Sequence, residues 1–118
     1  MDSILTTIKK MLGLAEDYDA FDTDIIVLIN GAIFKLMQLG VGPTPGFRII
    51  DKSETWDQFI TDGRTDLEAV KSYIYMDVRL IFDAPTPHYV AQAMTDQVKE
   101  LGWRLNVQAE GGPNFGTV

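Results

Sequence analysis

A chain of 118 residues with 46% hydrophobic and 23% charged residues has the length of one domain and the composition of a globular protein. Its net charge of −7, with only ten Lys and Arg, excludes the basic stripe through which a free, sequence-reading DNA binder neutralises phosphates. It contains no cysteine, which excludes disulfides and thiolate chemistry, and no apolar run approaches the roughly 18–20 residues that cross a bilayer.

The acidity has two readings. One is solubility; the other is a surface that repels DNA or meets a basic partner. The opening Met1-Asp2-Ser3-Ile4-Leu5 lacks the basic and apolar regions of a secretion signal. A protein that is soluble and intracellular where it is made is the expectation.

Ser3 is placed to cap a first helix over about residues 4–12. Ile4, Leu5, Ile8, Met11 and Leu12 fall at helical spacing, Lys9 and Lys10 suit the negative end of the helix dipole, and Gly13 follows as a stop. An acidic connector, Glu16-Asp17-Tyr18-Asp19, comes next.

The very apolar segment 24–39 contains Asn30-Gly31, a strong hairpin signal, so paired strands at 25–29 and 32–37 are one reading. The other is a helix with Ile26, Ile29, Ile33, Leu36 and Met37 on one face. Asp24, Gly31, Lys35 and Gln38 form an opposite stripe at steps of seven, four and three, which strands do not produce. The helix is preferred. Gly31 then costs about 1 kcal/mol relative to Ala and marks a candidate close helix–helix approach.

Gly40-Val41-Gly42-Pro43-Thr44-Pro45-Gly46 ends that helix, with glycine just past its end and prolines beyond. A brief extended piece at 47–50 follows, then a short helix around Trp56, Phe59 and Ile60 that Asp62-Gly63 breaks. Thr65-Asp66-Leu67-Glu68 reads as a capping box opening a helix to about Phe82, with Leu67, Val70, Tyr73, Ile74, Val78 and Ile81 facing inward. After Asp83-Ala84-Pro85, Thr86 as N-cap and Pro87 at the first helical position start a last helix. Val90, Met94, Val98, Leu101 and Leu105 repeat along it to about Ala109. The expected architecture is all-α: a small bundle with a long C-terminal helical hairpin and short accessory helices. It forms a single domain over 1–110, and a mobile tail over 111–118.

No residue pattern points to catalysis. His88 is the single histidine, in the first turn of a helix and with no orienting partner in view. Ser3, Ser53 and Ser72 lack a nucleophile-elbow context. Asp17, Asp19 and Asp22 do not have the glycine and spacing of a calcium loop, and helical E-x-x-E or E-x-x-H pairs are absent. The glycines at 42–46 come without a Walker lysine, so the segment reads as a rigid loop carrying Phe47. Neither a cofactor nor a metal is expected.

Candidates for surface work remain. Asp77 falls beside the inner face of its helix, and Arg104 lies between Trp103 and Leu105. They, or their neighbours, form an ion pair within or between subunits, or both border the face and point to water. Trp56, Trp103 and Phe47 serve either as core or as interface anchors, since aromatic and Arg side chains carry most hot spots.

Three segments, taken together, carry a resemblance. Leu39-Gly40-Val41-Gly42-Pro43 follows an apolar helix; Tyr73-Ile74-Tyr75 leads to Phe82-Asp83-Ala84-Pro85; Glu100-Leu101-Gly102-Trp103-Arg104-Leu105-Asn106 closes the last helix. Over roughly residues 2–110 the chain resembles the head-tail connector (adaptor, DNA-packaging or head-completion) proteins of tailed bacteriophages. The resemblance implies an all-helical fold and a homo-oligomeric ring, commonly twelve-fold. It also implies a portal protein above and a stopper or tail-completion protein below. The implied role is to join the DNA-filled head to the tail and help retain the DNA, in the virion after assembly in the host cytoplasm. No sequence-specific nucleic-acid or membrane binding is implied.

By the same implication loop 41–51, with Phe47 and Arg48, and the tail, with Phe115, are candidate contact segments; Trp56, Asp77, Trp103 and Arg104 join them as candidate interface residues. Asp77 departs from the neutral or basic residue expected in such proteins. The alternative is a generic acidic helical interaction module, regulatory or antitoxin-like.

Overall fold

The computed structural model describes residues 2–61, 63 and 65–110. Five helices follow one another: α1 (Ile4–Met11), α2 (Asp22–Gln38), α3 (Trp56–Phe59), α4 (Leu67–Phe82) and α5 (His88–Ala109). The only strand-like pairing among the described residues is an isolated bridge between Ser3 and Thr55. The fold is all-α, and the hairpin reading of 25–37 is overturned by the 17-residue α2. The expected tail 111–118, with Phe115, lies outside the described residues, as does Asp62 of the expected break.

Local chemistry sets the helix ends. Ser3 caps α1, its Oγ accepting from the Thr6 N–H at 3.2 Å. At the end of α2 the Gly40 N–H donates to the Met37 carbonyl and the Val41 N–H to that of Leu36. That is a Schellman motif, with Gly40 at φ +88° supplying the left-handed turn. Two caps differ from expectation. Asp66, not Thr65, caps α4: its Oδ1 accepts from the N–H groups of Glu68 and Ala69, while Thr65 is buried. A reciprocal box forms instead at α3, where the Thr55 N–H donates to Gln58 Oε1 at 3.0 Å. Pro87 occupies the N-cap position of α5 rather than its first turn.

Packing centres on α4, which lies against both α5 and α2, with α1 closing over α2 and α4. Ile25, Ile29, Ala32, Ile33 and Leu36 of α2 are buried with Val70, Tyr73, Ile74 and Val78 of α4 and with Val98 and Leu105 of α5. Each fully buried Ile contributes about 1.5–3 kcal/mol of transfer free energy. Gly102 makes the α4–α5 crossing close: a Cβ there would sit 3.2 Å from Tyr73 Cε2. Gly31, by contrast, is exposed and a Cβ on it would meet nothing within 4 Å, so it marks no close approach within the chain. Ile81, expected inside, is 65% exposed, because the last turn of α4 turns Phe82 inward onto Phe21 instead (5.3 Å between ring centres).

Lys9 shows how α1 is tied to α2. It is almost fully buried, donates to the Glu16 carbonyl at 2.9 Å and sits 2.9 Å from Asp22 Oδ1. The acidic connector therefore folds around a buried ammonium, which a charge at a solvated helix end would not require.

Candidate functional site

The loop between α2 and α3 is fastened from three directions. Asn30, in mid-α2, donates from Nδ2 to the Ile49 carbonyl at 2.9 Å and accepts the Ile49 N–H on Oδ1 at 2.8 Å. One carboxamide thus satisfies a whole backbone unit, as a neighbouring strand would. Ile49 and Val41 are buried, and the Phe47 ring stacks on Phe59 with centres 5.2 Å apart. Gly42, at φ +102°, passes directly beneath the same Phe59 ring. Arg48 and Ile50 project outward from this clamped segment. The result is a rigid loop presenting a cation and an apolar side chain on its outer side.

The expected anchors separate. Trp56 is fully buried; its Nε1 donates to Thr7 Oγ1 at 3.0 Å, and Lys71 lies over its ring at 5.7 Å. It is a core residue that joins α3 to α1. Trp103 is 63% exposed and Phe47 half-buried. The supposed Asp77–Arg104 pair does not form within the chain. Lys35 Nζ donates to both Asp77 oxygens, at 3.0 and 3.1 Å, and Arg104 Nε pairs with Glu100 one turn back at 3.2 Å. Arg104, 63% exposed, takes a partner on its own helix, while Asp77 meets a lysine of α2.

Between α2, α4 and α5 lies an open groove with a volume of about 530 Å³. Leu39, Tyr73, Leu80 and Val98 give it an apolar lining, Trp103 stands at its wall, and Lys99 and the Lys35–Asp77 pair sit at its edge. Burial, and then the negative charge of Asp77, push the Tyr73 phenol above its ordinary pKa. Two acids on the α3 side are shifted the other way: hydrogen bonds from Ser53 hold Asp51 below its usual range, and one from the Thr55 hydroxyl does the same for Asp57. Both acids are bound within their own turns. No group of three or more potential metal ligands occurs among the described residues.

Sequence reasoning missed three features. Val27 and Phe34 of α2 are 63% and 57% exposed, although neither was assigned to a face of the apolar run. Asn30 was legible only as a turn signal, and its place inside an apolar helix face was the available sign of a buried polar clamp. Lys35, placed on a solvent stripe, is the partner of Asp77.

The helical fold thus presents a clamped loop, an apolar groove and exposed aromatic side chains on its surface. A family model described as phage connector protein matches residues 4–112. The chain belongs to the phage connector protein family. No curated protein and no solved structure matches it. The connector assignment takes the place of the generic interaction-module alternative. A connector is a structural part of a phage particle, and among the described residues no helix is long and apolar enough to cross a membrane.

Proposed function

We propose that this connector assembles as a homo-oligomeric ring at the head–tail junction of the virion. It sits between the portal protein and a stopper or tail-completion protein, and it helps to hold packaged DNA in the head. The family match over residues 4–112 carries this reading; the twelve-fold number follows the common symmetry of such rings. Assembly takes place in the host cytoplasm, and the protein works as a structural part without catalysis.

Physical features of the chain support it. A net charge of −7 lowers adhesion to a DNA strand passing through the channel. A chain of this size leaves a substantial fraction of its apolar surface in water, and association covers it and stabilises the subunit by mass action. The clamped loop, with Arg48 and Ile50 outward, is a contact segment of fixed shape toward a neighbouring ring. The tail 111–118, with Phe115, is a second proposed contact segment.

Deleting the gene from its phage tests the role. Heads that package DNA but lack tails and lose their DNA are the expected particles. Fully tailed, DNA-retaining particles would overturn the reading.

A further inference from the structure

We infer that the outer face of α2 in one subunit docks into the α2–α4–α5 groove of the next, an assignment that rests on the ring reading above. The two surfaces belong to one chain but differ in form. One is a ridge: Val27 and Phe34 stand out from α2 with exposures of 63% and 57%, flanking Gly31. The other is the groove walled by Trp103, itself 63% exposed. A ring closes through a heterologous interface, in which each subunit offers two different and mutually complementary patches. This chain has such a pair.

Length, charge and shape agree. From Asp24 to Phe34 the ridge spans about 15 Å of helix, and the α5 side of the groove from Thr95 to Asn106 spans about 16 Å. Asp24 at the ridge end and Lys99 at the groove edge are both exposed, and neither has an ion-pair partner among the described residues. Docking ridge into groove gives each its opposite charge. Gly31 explains itself only here. A glycine inside a helix weakens it, nothing in its own subunit approaches it, and its bare backbone leaves a seat for the Trp103 indole of the neighbour. A two-fold pairing of ridge on ridge would stop at a dimer and leave both grooves open.

The chain has no cysteine, which permits a direct test with full-length protein. Chains carrying Phe34→Cys or Lys99→Cys are mixed with the portal protein, alone and together, oxidised, and followed by denaturing gel and negative-stain microscopy. Both positions are exposed, so neither change disturbs the core. The expected result is a dimer band only when the two variants are mixed, and a ladder up to the full ring for the chain carrying both cysteines. Asp24→Lys and Lys99→Asp each reduce assembly at least tenfold, and the double variant restores it. Rings without the mixed cross-link, or a Phe34→Cys chain linking to itself, overturn the docking while leaving the ring reading intact. Absence of rings from the unaltered chain, alone and with the portal, removes both.

Discussion

The α carbon of Gly42 lies so close beneath the ring of Phe59 that a β carbon on it would stand 2.5 Å from Cε1. Phe59 is fully buried, so the ring has no room to retreat, and the φ of +102° is itself one that side chains rarely adopt. Backbone strain and overpacking each cost about 1–3 kcal/mol. Gly42→Ala is therefore expected to lower stability by about 3 kcal/mol, a fall in Tm of more than about 10 °C for a domain of this size. A thermal melt decides it, and a shift within the scatter of the wild type would remove the close contact from the account.

Asn30 holds the loop through both hydrogen bonds to Ile49. Replacing it with Leu leaves the N–H and the carbonyl of Ile49 without their partners, each worth about 1–3 kcal/mol. The expected outcome is a lower urea midpoint and faster amide exchange at Ile49, with α2 itself still helical. Unchanged exchange at Ile49 would mean that packing of Val41 and Phe47 alone positions the loop.

The partner of Asp77 is Lys35, not Arg104. Lys35 is half exposed, so the pair belongs with surface ion pairs worth up to about 1 kcal/mol. A double-mutant cycle on Lys35 and Asp77, using Met and Asn, is expected to give a coupling of about 0.5–1 kcal/mol. The corresponding cycle on Asp77 and Arg104 is expected to give none. A larger coupling for the second pair in monomeric protein would reverse the assignment.

Tyr73 carries a pH dependence of definite sign. Burial, and then Asp77, raise its pKa above the ordinary value of 10.0. Its protonated form is favoured by folding, so the contribution is complete below the unfolded pKa and is lost as pH rises through the folded one. Melts from about pH 8 to about pH 11 are expected to show a loss of stability that is smaller in Tyr73→Phe. Equal losses in the two proteins would show that the phenol does not couple to folding. Asp51 and Asp57 act at the other end. Their lowered values place their contribution above pH 3.8, and it is lost as pH falls through the folded values.

Much of this molecule was readable residue by residue. Ser3, Gly40 and Pro85 announced where helices start and stop, because caps and breakers act within a turn of themselves. The polar stripe of α2 was readable, and Asp24, Gly31, Lys35 and Gln38 are all exposed; the apolar residues beside that stripe were not, because Ile25, Ile26, Val27, Leu28 and Ile29 are apolar all the way round. The excess surfaces as exposed Val27 and Phe34. Links across distance were equally hidden. Asn30 meets Ile49 nineteen residues away, and Lys35 meets Asp77 forty-two residues away; neither pairing leaves a local pattern. Trp103 and Arg104 were legible as a pair of candidates, but their exposure depends on how α5 is rotated, which Gly102 against Tyr73 determines.

The central claim is that this chain builds the ring that joins head to tail. Its most direct test is the mass and symmetry of the purified protein mixed with its cognate portal, by light scattering and negative-stain microscopy. Closed rings stacked coaxially on the portal, with one copy of this chain per position around the axis, are the predicted result. A monomer or dimer that leaves the portal bare would contradict it.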